Sequence, residues 1–258
     1  MTSDYLKHSR SLDEVYALID ENRGAAAKAA QARFHGAVET AMAAIISIGS
    51  IASARVQADS RVASANVLIK AELAATRLLG EAELQASQCI HEILTKPRDV
   101  IETALLEMGK QTSLQLVATA KESVEKIHRD AEAAIKVLRE TGTIAIREVQ
   151  ALAAKVAEQT RHDAELAAEK LREYRKSART PDQATCEGED VAQIVIKAAE
   201  EASVNLQDAI KTTLARINAI TDEACAAVQE AALAAEKKIL DGQDRALARL
   251  QETLRLDL

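Results

Sequence analysis

From Val191 to Leu254 the apolar positions recur every eleven residues. One column reads Val195, Leu206, Ile217, Val228, Ile239 and Leu250, all large aliphatics. The column four residues earlier reads Val191, Ala202, Thr213, Ala224, Ala235 and Ala246, and the column three residues later reads Ala198, Ala209, Ile220, Ala231, Gly242 and Thr253. Eleven residues over three turns is about 3.67 per turn, close to the 3.6 of a straight helix. A stripe with that period stays on one face for many turns. It calls for a nearly straight or weakly right-handed bundle.

The same pattern appears twice more. From Phe34 the large column is Phe34, Ile45, Val56, Val67, Leu78 and Cys89, followed four residues on by Val38, Gly49, Ser60, Ala71, Ala82 and Ile93. Arg55, Asp59, Lys70, Arg77, Glu81 and Glu92 fall on other columns, so this stretch predicts an amphipathic helix. A further large column runs Leu105, Leu116, Ile127, Leu138, Val149, Thr160 and Leu171. Four residues after its members lie Gly109, Ala120, Ala131, Gly142, Ala153, Ala164 and Arg175, so a second backbone can approach closely along most of that length.

Breaks divide the chain. Pro97, in Thr95-Lys96-Pro97-Arg98-Asp99, disfavours helix in the residue before it and suits the first turn of a new one, so a tight helix–helix turn is expected there. Ser177 to Asp190 carries Pro181, Gly188 and several turn-forming residues and reads as a linker. The expected organisation is a polar N-terminal segment 1–22, a first long helix 23–96, a second 97–178, a linker 179–190 and a third helix 191–258. Within the first segment, Ser11-Leu12-Asp13-Glu14 has the form of a helix N-cap. The fold class is all-α: an elongated bundle of about three long antiparallel helices with eleven-residue (hendecad) coiled-coil packing.

Composition sharpens this picture. Aromatic residues are 2% of the 258, there is no Trp, and the apolar half is mostly Ala backed by Ile, Leu and Val. Ala is the best helix former but buries little side-chain area. Such a chain makes long, closely approaching helices and leaves cohesion to neighbours. The net charge of −7 gives no electrostatic reason to expect nucleic acid. Three cysteines, Cys89, Cys186 and Cys225, have no metal spacing and form no even framework. They suit a reducing compartment, and with no apolar run after the polar Met1–Arg10 a cytoplasmic location is expected.

Candidate chemistry is sparse. Cys89 and His91 point to different sides of a helix. His162-Asp163 is an acid–base fragment without a nucleophile, and its default is a solvated helix face, as for His35 and His128. Glu187-Gly188-Glu189-Asp190 lacks calcium-loop spacing and reads as a helix start. No phosphate loop, zinc pattern or nucleophile elbow is present. No catalytic residue, cofactor or metal is expected, and the chain reads as non-enzymatic.

The most unusual stretch is Ala41 to Ala52, twelve uncharged residues that are apolar nearly all around. It is shorter than the ~20 residues that span a bilayer. Met42, Ile45, Ile46, Ile48 and Ile51 are therefore candidate self-assembly residues. The functional expectation is a structural protein that polymerises with copies of itself into a filament, sheath or scaffold. The alternative is an amphipathic-helix protein of membrane or lipid surfaces, or a helical pore-former or translocator that inserts this stretch.

Overall fold

The computed structural model describes residues 23–97, 100–177 and 181–254, with side chains at 28–97, 100–170, 172 and 192–254. The expected polar segment 1–22 and its N-cap lie outside the described residues. Three α-helices make up the described fold: α1 Arg23–Ile93, α2 Ile101–Ser177 and α3 Pro181–Leu254. Among the described residues there is no strand.

Burial follows the eleven-residue columns. On α1, Phe34, Ile45, Val56, Val67, Leu78 and Cys89 are all buried, and so are Val38, Gly49, Ser60, Ala71, Ala82 and Ile93. On α2, Leu116, Ile127, Leu138, Val149 and Thr160 are buried, with Gly109, Ala120, Ala131, Gly142, Ala153 and Ala164 four residues on. The large column of α3, Val195 to Leu250, is buried throughout. The core is thus built from alternating large and small positions that repeat in register on all three helices.

The chain divides into two compact units. The first comprises residues 1–54 and 141–219, the second 55–140 and 220–258. Each unit takes one segment from every helix.

In the first unit, one core cluster joins Phe34 with Ala164, Ala167, Ala168, Ala192 and Val195. A second joins Val38, Ile45 and Ala52 with Ala145, Val149 and Ala153 and with Ala202, Leu206 and Ile217. Residue numbers rise from one cluster to the next on α1 and α3 and fall on α2. The segments therefore run up, down and up. Gly49 allows the close approach of α1 and α3 here, because a Cβ at this position would collide with the side chain of Thr213.

The second unit has the same topology. Its core runs from Val56 to Cys89 on α1, from Leu116 to Leu138 on α2 and from Ala224 to Leu254 on α3. Ser60 donates to the Ala224 carbonyl at 2.9 Å and Ser64 to the Ala227 carbonyl at 3.4 Å, separations of 164 and 163 residues. These spacings are close to fifteen repeats of eleven, so the parallel helices α1 and α3 lie in phase. A Cβ on Gly242 would sit 2.6 Å from the Ala75 Cβ and 2.9 Å from its Cα, so α3 touches the backbone of α1 at this level.

Between α1 and α2 the chain turns. The Lys96 N–H donates to the Ile93 carbonyl at 2.9 Å and Val100 N–H to the Pro97 carbonyl at 3.1 Å, while Thr95 Oγ1 donates to the Glu92 carbonyl at 2.7 Å. Pro97 is outside both helices, and the antiparallel pairing of α1 and α2 in the second unit makes this a hairpin. The helices stop at Ile93 and restart at Ile101, so each is a few residues shorter at this end than expected. Glu102 in the first turn suits the N-terminal dipole of α2.

The expected linker 179–190 is corrected at the other break. Helix α3 begins at Pro181, so residues 181–190 are helical. Proline has a preset backbone angle and no N–H to lose, which fits the first helical position. Gly188 inside the helix costs only about 1 kcal/mol relative to Ala. Turn-forming composition here is overridden by continuation of the helix.

Candidate self-association surface

The five expected assembly residues do not share one environment. Ile45 is fully buried in the core of the first unit, so it is withdrawn from the candidate surface: its column faces α2 and α3. Met42 and Ile48 are half-buried and pack against that core. Ile46 and Ile51 are 50% and 67% exposed and remain available to a partner.

Ile51 belongs to a column that the sequence reading missed. Eleven residues apart lie Ile51 in the first unit and Val62, Leu73 and Leu84 in the second, exposed by 67%, 60%, 64% and 57%. These side chains stand on the face of α1 turned away from its core columns. Around them in the second unit the outward positions are Ala58, Ala65, Ile69, Thr76, Gly80 and Ser87, all exposed. Read in order, 58, 62, 65, 69, 73, 76, 80, 84 and 87 have the same three- and four-residue spacing as the buried seams. None carries a charge.

The other helices do not do this. The outward column of α2 at the same spacing is Leu114, Glu125, Lys136, Arg147 and Glu158, all exposed and charged from Glu125 onward. On α3, Lys197, Asp208, Glu230 and Asp241 occupy outward positions. Helix α1 alone is apolar on both faces. The signal was legible in the spacing of Ile51, Val62, Leu73 and Leu84, but periodicity does not say which of two apolar faces turns inward.

The polar residues of this seam are partly satisfied within the helix. Thr76 donates to the Glu72 carbonyl and Ser87 to the Glu83 carbonyl, each at 2.9 Å. Such hydroxyls can be covered by a neighbour without losing their bond. Charged side chains line the flanks. Glu72 meets Lys238 at 3.0 Å and Glu83 meets Arg249 at 3.6 Å on one side, and Arg77 pairs with Glu81 at 2.6 Å on the other. Arg61, on the flank with Glu72 and Glu83, has no ion pair among the described residues. An 18-residue window of α1 reaches a mean hydropathy of 1.5, enough by length and composition to cross a membrane, and a third of it is buried.

The expected acid–base fragments resolve into structural contacts. His162 is exposed, but the solvated face expected for Asp163 is corrected: it is buried in the first unit. It accepts from Arg33 at 2.7 Å and from Gln159 at 2.9 Å. The cause is its place beside the inward columns of α2, where a carboxylate needs a cation. His128 is half-buried and lies 2.9 Å from Glu236 across α2 and α3 in the second unit. Cys89 is buried and His91 exposed, on different sides as expected, and Cys225 is buried with its Sγ 4.0 Å from the Ile135 carbonyl. Among the described residues no group of three or more His, Cys, Asp or Glu is arranged to hold a metal. The side chains at 187–190 and Cys186 lie outside the described residues.

In the first unit a groove of about 710 Å³ opens between α2 and α3, lined by Ala157, Thr160, Ala164, Ile196, Ala199 and Ser203, with Arg161, Glu165 and Glu200 at its edge. Its floor is small and apolar, without converging polar groups that would orient a substrate.

No protein-family model matches the sequence, and no curated protein matches it. Among solved structures the chain is similar to a computationally designed three-helix bundle, with a TM-score of 0.57 at 15% identity over 95% of this chain and 100% of that one. That likeness is one of fold alone, and the fold to which it attaches this chain is the all-α three-helix bundle.

Proposed function

We propose that this chain is a non-enzymatic structural protein that associates with copies of itself into a filament, sheath or scaffold. The observation that carries this reading is the charge-free outward face of α1, where large aliphatics repeat at the spacing of the buried seams. Large contiguous apolar surface on a soluble chain is normally covered by a partner. The Ala-dominated cores support the same reading, because small side chains contribute little burial within one molecule and association adds area. Growth beyond a closed pair needs a second contact, and half-exposed Ile46, on another side of α1 in the first unit, is the candidate for it. The partner is the protein itself, without nucleic acid.

Sedimentation velocity over a wide concentration range, with negative-stain imaging of the same samples, tests this. Concentration-dependent growth in mass and regular assemblies are expected. A monodisperse monomer at every concentration ends the proposal. A second reading, a lipid-surface protein, is favoured by the hydropathic window in α1. Flotation with neutral and anionic vesicles separates the two, since the self-associating reading expects assembly without lipid.

A further inference from the structure

Resting on the self-association proposed above, we infer that the partner seated on α1 of the second unit is α1 of a second copy, running antiparallel about a two-fold axis at Leu73. The seam of residues 58–87 is its own complement in that arrangement. Leu73 meets its counterpart, and Val62 meets Leu84 of the other copy. Ile69 falls against Thr76 and Ala65 against Gly80, so between the large Leu73 and Val62–Leu84 contacts lie levels with smaller residues that let the helices close. Closed two-fold pairs use one patch twice, which is what a seam with this symmetry of spacing offers.

Charge supports the same direction. In an antiparallel helix pair each flank faces the same flank of its mate. Arg61 then comes opposite Glu83 of the other copy, twice per dimer. Arg61 has no ion pair within its own chain among the described residues, and Glu83 has only the exposed 3.6 Å contact with Arg249. On the opposite flank Arg77 comes nearest Lys70 of the other copy, and each of these cations already has a carboxylate in its own chain, Glu81 for Arg77 and Asp130 for Lys70. A parallel in-register pair loses the Val62–Leu84 match and sets each seam residue against itself.

The area is sufficient. Thirty residues of helix give a strip about 45 Å long and about 10 Å wide. Two such strips bury roughly 900 Å², and rim side chains closing over them bring the total to the ~1,000 Å² that a specific interface needs.

The test uses the full chain, with sedimentation equilibrium for mass and circular dichroism for helix content. Leu73→Glu, at an exposed helical position, is expected to keep its helicity and weaken the pair by at least ~30-fold, the scale of a central interface residue. Arg61→Glu is expected to weaken it by roughly 5-fold. Adding Glu83→Arg is expected to restore most of that loss. Mixed Val62→Cys and Leu84→Cys proteins, oxidised together and mapped by mass spectrometry, are expected to give the 62–84 disulfide. That reading does not depend on how Leu73→Glu folds.

Wild-type association that survives Leu73→Glu with helicity intact overturns this interface and leaves self-association standing. A 62–62 disulfide in place of 62–84 overturns the antiparallel direction. A wild-type monomer that floats with phosphatidylcholine or phosphatidylglycerol vesicles, and ceases to with Leu73→Glu, assigns the seam to lipid and overturns the proposal. A wild-type monomer without lipid binding removes the self-association reading and this interface with it.

Discussion

At single positions the fold is set by how near two backbones come. Gly36 has open space where a Cβ would stand, whereas Gly242 has the Ala75 backbone there. Gly36→Ala is therefore expected to stabilise the chain by about 0.5–1 kcal/mol through helix propensity. Gly242→Val, which must push α1 and α3 apart, is expected to cost about 1–3 kcal/mol or more. Urea unfolding at one fixed protein concentration reads both, since association shifts the midpoint. The Ser53 hydroxyl is buried without a hydrogen-bond partner. Ser53→Ala removes that desolvated group and improves helix propensity, so a gain of about 1 kcal/mol is expected in the same assay. Asp163 is the opposite case. Asp163→Ala removes the carboxylate that pairs with the partly buried Arg33 guanidinium and is expected to cost about 2 kcal/mol. The burial of Asp163 was hidden in the sequence because a charge beside an inward column looks the same whether it is solvated or paired with Arg33, 130 residues away.

For each helix, the sequence specified the eleven-residue repeat but not every boundary. The columns beginning at Phe34, Leu105 and Val195 are the buried ones, because large residues alternate there with Ala and Gly that permit contact. The hairpin at Pro97 was legible for a local reason: proline blocks helix in the residue before it. Pro181 follows the same rule from the other side, as the first residue of α3, yet the turn-rich composition around it suggested a linker. Composition counts preferences one residue at a time, while a helix already started extends cooperatively through residues such as Gly188. Helix α1 posed a further difficulty. Its two faces are both apolar: Ile45 belongs to the large column and is buried with it, while the uncharged run Ala41–Ala52 grouped it with half-exposed Ile46 as one surface. Ile46→Asp is expected to impair assembly far more than helix content, because its side chain is half exposed. Parallel sedimentation and circular dichroism measure the two effects, and equal losses of both count against a role in assembly.

At the scale of the molecule, each unit contains its own core drawn from all three helices, and in both the direction of the segments is up, down, up. Nothing in that arrangement ties cohesion to a particular total length. In the second unit the pairs Ser60–Ala224 and Glu72–Lys238 keep a nearly constant offset between the parallel helices α1 and α3, and Lys70–Asp130 marks the level of α2 beside them. Taking out 61–71, 128–138 and 226–236 together removes one repeat from each helix at the same level, so the remaining pairs meet again in their old phase. A shortened protein with undiminished helicity per residue and a single cooperative transition is expected by circular dichroism. Removing 61–71 alone keeps the columns in phase but leaves one repeat of α2 and of α3 without its α1 partner, and a clear fall in stability is expected. The chain's extent is in this sense a free variable, open to growth or trimming in whole repeats without redesign of the interior.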